Sequence, residues 1–385
     1  SALPEKTLKE ESIDFIGRGE AYDTHLALLR GESLSKVPGL FWLEEGKVCF
    51  GVNEKVLHSN EINQMIVTAA WDLLPMKEYR AHDWHCLDDL ENRQPYASLH
   101  TSFGCGMGCT FCMIDDIFTI GGTQKSRIRT RDPKIVVDEI ENLVKNYGIR
   151  NLKFIDEMFV FHPKHYIGVA DEIINRNLGK ELNIWAYSRI DTVKEGNLNT
   201  LKKAGINWLA LGIESGNNAV RQKIQKGRFN DDKIQDVVQK IKDAGIYVIG
   251  NYIFGLPEDT EKSMQDTLDM AIEINTEWVN FYCAMAYPGS ELHKISRKEG
   301  VILPEDRSDI GWIGYSQHAY EVFPMSTKTL TSAEVLKFRD KAFKKYFTGE
   351  KYLNMIRAKL GEKAENYIKE MAKKDMKRKM LEHQK

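Results

Sequence analysis

The sequence predicts an α/β protein built on a partial (β/α)6 TIM-like barrel, with a short α/β segment before it and helices after it. Three observations carry that expectation. Between Tyr96 and Tyr282, six short runs rich in β-branched and aromatic residues alternate with amphipathic stretches of helical period. The links between them are short, so consecutive strands lie parallel and each crossover carries a helix. Eight such units would close a barrel; six leave it open on one side.

The first strand, 96–103, feeds directly into a glycine- and cysteine-rich loop. The helix at 133–147 places Ile135, Val136, Ile140, Leu143 and Val144 on one face and stops at Gly148. The second strand spans 151–155, and Pro163 opens the helix that follows it. The third strand (183–187) is backed by a helix around 198–204, and the fourth is 207–213. Asn230 caps a helix over 231–244, which Gly245 ends. The fifth strand is 246–254 with its helix at 261–274, and the sixth is 277–282.

The flanks read differently. Residues 1–50 hold a strand at 13–17, a helix from about Ala21, and strands at 40–43 and 47–50 joined by a tight turn. This segment reads either as an extension packed on the main domain or as the remnant of a doubly wound domain, and the second is favoured. Residues 51–95 form a connector; its His82, His85 and Cys86 could hold a metal but read more simply as a loop cluster. The core is assigned to 96–290 and a mainly helical extension to 291–385, with helices at 292–300, 332–347 and 352–380 around a loop at 304–317. Lys373, Lys374, Lys377, Arg378 and Lys379 read as a solvated helix end.

Composition narrows the function. With 54 Lys and Arg against 56 Asp and Glu, the net charge of −2 makes no electrostatic case for nucleic acid or a membrane surface. No apolar run reaches the ~18 residues of a membrane span, and the N-terminal residues lack a signal-peptide pattern. Three of six cysteines cluster, which argues for metal in a reducing compartment; a cytoplasmic enzyme is the expectation.

That cluster is Cys105, Cys109 and Cys112 in CGMGCTFC, a C-x3-C-x2-C spacing among Gly104, Gly106 and Gly108. A closed structural zinc site wants four ligands, and no fourth Cys or His lies at a short downstream distance. Three thiolates on a cube of four irons leave one iron open. The spacing, with Phe111 directly before the last cysteine, resembles the signature of the radical S-adenosylmethionine (radical SAM) enzymes. WAYSRID, LGIESGN, IFGLPEDT and AYPGSEL follow in an order similar to the cobalamin-associated members of that superfamily. DFIGRGE, a helix and VPGLFW resemble the tail of their cobalamin-binding domain.

The resemblance implies a radical SAM-type barrel, a 4Fe-4S cluster on the three cysteines, S-adenosylmethionine on the open iron, and a 5′-deoxyadenosyl radical. Cobalamin is the further cofactor of the implied lineage, and a reductant such as flavodoxin or ferredoxin is the implied partner. Strand ends then supply candidate ligands of the nucleoside and amino acid. Asp156 or Glu157 suits the cationic amino group, and Ser188 and Arg189 suit the ribose and the carboxylate. Glu214 suits ribose hydroxyls, while Ile253 through Gly255 offer main chain to an adenine edge. A structural Arg189–Asp191 ion pair competes with the assignment of Arg189. Tyr282, Tyr287 and Pro288 are candidates for the substrate side or for core packing.

One departure counts against a cobalamin site: the Asp-x-His-x-x-Gly motif that often marks that domain is absent. The lead expectation is hydrogen abstraction from an unactivated carbon of a small molecule, within the cobalamin-dependent methyltransferase lineage; sugars, lipids and secondary metabolites are candidates. An excised core would need cobalamin supplied from elsewhere, whereas a complete chain would favour a cobalamin-free rearrangement, dehydrogenation or elimination. A tRNA methylthiotransferase would be expected to carry further cluster cysteines or an RNA-binding barrel, and neither occurs here. A metal-stapled scaffold is the non-enzyme alternative.

Overall fold

The computed structural model describes residues 2–118, 127–224 and 229–382. The chain forms two compact units, and each is made of more than one segment.

The first unit comprises Ser1–Met65, Phe103–Thr130 and Ala286–Gly300. It opens with helix α1 (Pro4–Glu10), which the sequence reading missed, and a three-stranded antiparallel sheet of β1 (Phe15–Gly17), β2 (Leu40–Glu44) and β3 (Lys47–Phe50), with α2 (Tyr22–Leu29) between the first two strands. The tight turn between β2 and β3 is where the sequence placed it. Leu8, Ile16 and Phe41 pack together on one side of this sheet; Ala27, Val37, Leu40 and Trp42 form a second cluster.

The second unit comprises Ile66–Ser102, Arg131–Met285 and Val301–Lys385. Its centre is one six-stranded parallel sheet in sequential order: β4 (Tyr96–Leu99), β5 (Asn151–Phe154), β6 (Asn183–Arg189), β7 (Ile206–Glu214), β8 (Tyr247–Phe254) and β9 (Trp278–Cys283). Sequential order with a helix at each crossover curls the sheet into the half-barrel that the alternation predicts. The crossover helices are α3 (Pro133–Tyr147), α4 (Pro163–Asn175), α5 (Glu195–Lys203), α6 (Asp231–Asp243) and α7 (Glu261–Ile274). The Asp132, Asn230 and Thr260 side chains cap three of them, and left-handed Gly148 ends α3. The first strand is shorter than expected, because the chain leaves the ladder after Leu99.

Alternation along the strands sorts their side chains. Leu152, Phe154, Ile184, Ala186, Leu209, Leu211, Val248 and Phe254 are buried. The intervening positions are half-buried and mostly polar: Tyr96, Ser98, Lys153, Tyr187, Asn251, Asn280 and Tyr282. They mark the open, concave face. Its lower end is filled by a 3-10 turn, Asp83–Cys86, whose Trp84 lies 4.5 Å from Trp185, 6.1 Å from Trp208 and 6.4 Å from Trp278 between ring centroids. His85 Nε2 and the Asn183 carbonyl are 3.1 Å apart, and Cys86 Sγ contacts Asn151 Oδ1 at 3.2 Å. Burial drives the His85 pKa down to about 3 and the Cys86 thiol up to about 12. These two residues are the packed floor of the barrel, and a buried thiol held protonated is a poor metal ligand.

After β9 the chain is helical, with α8 (Ser332–Phe347) and α9 (Glu350–Ala372), the latter kinked at left-handed Gly361. The helix expected to run to residue 380 stops at Ala372. The basic tail is not all solvated, which corrects that reading: Arg378 is buried, pairs with Asp340 at 3.2 Å, and donates to the carbonyls of Gln317 and Ala319. No helix among the described residues is long and apolar enough to cross a membrane.

Candidate active site

The cysteine loop belongs to the first unit. Gly104 and Gly108 adopt left-handed φ angles of 82° and 65°, so these two glycines, and not Gly106, are the ones the turn requires. The Cys112 N–H donates to the Cys109 carbonyl at 3.0 Å, closing a tight turn between the second and third thiols. Cys105, Cys109 and Phe111 are half-buried and Cys112 is exposed; none of the three cysteines is in a disulfide. The segment around AYPGSEL packs on this loop: Leu292 N–H donates to the Thr110 carbonyl at 2.8 Å. A Cβ on left-handed Gly289 would stand 2.8 Å from Asp116 Oδ2, so only glycine permits that approach. At the far end of the loop, buried Arg129 pairs with Glu20 at 2.6 Å and donates to the Leu57 carbonyl at 2.8 Å.

Among the described residues no three His, Cys, Asp or Glu side chains converge on the position of a single ion. A four-iron cube is larger than an ion, and each thiolate binds its own iron, so the donor set of three unbridged thiols fits that group. The first unit supplies a small antiparallel sheet, and no cobalt ligand is identified among the described residues.

The second unit holds the strand ends. Asp156, just beyond β5, is fully buried, and three donors hold its carboxylate: the Thr101 N–H, the Thr101 hydroxyl and the Ser102 hydroxyl, each at 2.6 Å. Thr101 Oγ1 also lies 2.9 Å from His165 Nε2. Asp156 therefore anchors the strand end that leads into the cysteines, leaving half-buried Glu157 as the acid of this pair with the more open side chain. The neighbouring His100 carbonyl accepts from Arg131 at 2.7 Å, and Arg131 in turn pairs with buried Glu139 at 2.8 Å.

Arg189 is 5% exposed and forks onto Asp191 through Nε at 2.9 Å and an Nη at 3.0 Å. The ion pair weighed against the cofactor role is thus present. Ser188 lies on the opposite strand face from Tyr187 by alternation, its hydroxyl 3.4 Å from Thr192 Oγ1. Gly255 has a φ of 81°, and its N–H donates to Asp259 Oδ2 at 3.1 Å, as does that of Leu256 at 3.0 Å. Its N–H is committed to that loop, and Ile253, half-buried on the open face, is the part of the pair facing outward. Burial raises the Asp259 carboxyl to about 6 against these donors. A Cβ at Gly255 would meet Val335 Cγ1 at 2.5 Å. Gly255→Ala is expected to cost about 2–4 kcal/mol, combining left-handed strain with overpacking, read as the urea midpoint at unchanged slope.

Glu214 ends β7 with a φ of 68°, a left-handed backbone on a non-glycine residue, and is 6% exposed. The ladder to β8 shifts register beside it, pairing Gly212 with Asn251 and then Glu214 with Tyr252. A bulge and a strained residue together re-aim a side chain, and such strain concentrates at functional sites. The turn behind it is fixed firmly: Gly216 N–H donates to Thr267 Oγ1 at 2.8 Å, and buried Arg221 donates to the Ser215 carbonyl and to Asp231, both at 2.6 Å. Missing from the sequence reading were Lys153, Tyr187, Asn251 and Asn280. Asn280 donates to Asn251 Oδ1 at 2.9 Å, and Asn251 to the Leu211 carbonyl at 3.2 Å. Period-two alternation inside the strands, and not only at their ends, is the signal that would have found them.

Comparison with known proteins completes the picture. Residues 99–271 match the radical SAM superfamily. An uncharacterized methyltransferase of Pyrococcus horikoshii is 28% identical over 356 residues, covering 91% of this chain and 71% of that protein. Among solved structures, the cobalamin-dependent S-adenosylmethionine radical enzyme OxsB aligns with 96% of this chain and 57% of its own, at a TM-score of 0.67 and 15% identity. The radical S-adenosylmethionine methyltransferase TsrM of Kitasatospora setae aligns with 77% of this chain and 56% of its own, at a TM-score of 0.59 and 18% identity. This chain spans little more than half the length of either solved structure.

Proposed function

Because this chain belongs to the radical SAM superfamily, we propose that it holds a 4Fe-4S cluster on Cys105, Cys109 and Cys112 and uses S-adenosylmethionine to abstract hydrogen from an unactivated carbon of a small molecule. The observation that carries the reading is the cysteine loop itself, with three unbridged thiols on a turn set by Gly104 and Gly108. When bound, the cluster supplies the electron that breaks a sulfonium C–S bond, giving methionine and a 5′-deoxyadenosyl radical.

The roles left to the protein are binding and orientation. Glu157 is the acceptor for the cationic amino group, since the three donors on Asp156 already hold that carboxylate. Arg189, braced by Asp191, orients the methionine carboxylate. Glu214 accepts from ribose hydroxyls, and its strained backbone is the cost of that aim. Ile253 contributes an apolar contact to the base. Glu214→Gln is expected to raise the apparent KM for S-adenosylmethionine about tenfold with kcat less affected, the scale of a hydrogen bond to a charged acceptor. An unchanged KM would remove Glu214 from the site.

The outcome we favour after hydrogen abstraction is methyl transfer to carbon, supported by the methyltransferase description of the Pyrococcus relative. Cobalamin enters this reading through DFIGRGE and VPGLFW, the order of the core motifs, and the likeness to cobalamin-dependent OxsB. Anaerobic reconstitution with and without added cobalamin tests it. A cobalamin-dependent spectral change together with 5′-deoxyadenosine supports methyl transfer. Release of 5′-deoxyadenosine with no such change favours a cobalamin-free rearrangement, dehydrogenation or elimination.

A further inference from the structure

Lys153 lies in β5 on the open face, in register with Trp185 of β6. Its ammonium stands 4.0 Å from the Trp185 ring centroid and 5.6 Å from that of Tyr187. Among the described residues it makes no ion pair and no hydrogen bond, which is unusual for a lysine in the middle of a sheet. The Trp185 ring is only 5% exposed and its N–H is buried, so it walls the ammonium and offers a ligand no donor of its own.

Among the described residues, the charged and titratable groups around Lys153 supply no anion. From the turn under the barrel come His82 and His85, both with pKa values lowered mainly by burial, so both are neutral at pH 7. On β6, Tyr187 is pushed upward by burial and is neutral too. Asp83 beside His82 is engaged by Arg93 and Tyr367. Desolvation alone brings Lys153 down to about 8, so it is still mainly charged at neutral pH. Ring faces stabilise a cation only modestly, and a half-buried ammonium with no counter-charge is a group poised for a ligand.

We propose that the Lys153 ammonium forms an oxyanion subsite on the concave face, and that the substrate carries a carboxylate or phosphate that docks there. This rests on the reading that the open face of the half-barrel receives the substrate. The subsite presents donors only, up to three from the ammonium. An amine or other cation is disfavoured by the same chemistry, so the subsite selects acidic substrates by exclusion as well as attraction.

Sulfate and acetate are suitable probes, because neither changes charge between pH 6 and 10. Titrated against the full chain at ionic strength matched with chloride, and read by thermal shift and tryptophan fluorescence, at least one should bind saturably. Lys153→Gln should weaken that binding about tenfold or more, the scale of a hydrogen bond from a charged donor. Lys153→Arg should retain it within about threefold, which keeps the test valid if the glutamine variant fails to fold. Affinity in the wild type should fall about tenfold per pH unit above about pH 8, as the ammonium deprotonates, and should not fall in Lys153→Arg. Tighter sulfate points to a phosphorylated substrate, and tighter acetate to a carboxylic acid. Absence of saturable binding by both probes, or equal binding by Lys153→Gln, overturns the subsite. Cleavage of S-adenosylmethionine by the wild type is scored separately: cleavage without anion binding refutes the subsite alone, and anion binding without cleavage refutes the cluster reading alone.

Discussion

Cys109→Ala is expected to reduce reductive cleavage of S-adenosylmethionine to background while the chain still folds. The two halves of that outcome have separate physical causes. The loop is shaped by its backbone, through left-handed Gly104 and Gly108 and the Cys112 N–H to Cys109 carbonyl bond, and removing Sγ disturbs none of these. Half-buried as it is, the side chain contributes little packing. As an iron ligand, by contrast, it is one of three, and two thiolates do not retain a four-iron cube. Anaerobic reconstitution should give about four iron and four sulfide per chain for the wild type and a large deficit for the variant. Melting temperatures of the two metal-free proteins should agree within a few degrees. Retained cleavage by the variant would refute the ligand assignment, and one zinc without sulfide in the wild type would refute the cluster.

The barrel was legible because its strands obey two independent periodicities at once. Buried Leu152, Ile184, Leu209 and Val248 give the strands, and capped amphipathic stretches such as 133–147 give the crossovers. Sequential order then follows from short connections. Strand ends were legible as places but not as partners. A run of Asp156 and Glu157 names two acids, yet nothing in it says that Thr101 and Ser102, some 55 residues earlier, take one of them. The same blindness to long-range pairing made Arg378 look solvated when Asp340 holds it. It also left the committed N–H of Gly255 as an open donor. Lys153 was missed for a different reason: alternation was used to find the strands and then not applied to ask which interior residues face outward.

Asp156→Ala is expected to destabilise the chain by about 3 kcal/mol or more, because it leaves three donors without an acceptor in a site with no water access. The carboxylate is fully buried, and its bonds to Thr101 and Ser102 are all 2.6 Å, the short distances of charge-assisted contacts. Asp156→Asn should cost less, about 1–2 kcal/mol: the amide keeps one acceptor, and the hydroxyls of Thr101 and Ser102 can turn to accept from its NH2. A purely catalytic acid would give the opposite pattern, with stability unchanged and activity lost equally in both variants. Urea denaturation of the metal-free protein measures the first effect. The second is that iron retention should decline in the order wild type, Asn, Ala, since Ser102 is only three residues from Cys105 along the chain. If Asp156→Ala melts like the wild type, the anchor role fails, and Asp156 returns to Glu157 as a candidate for binding the amino group.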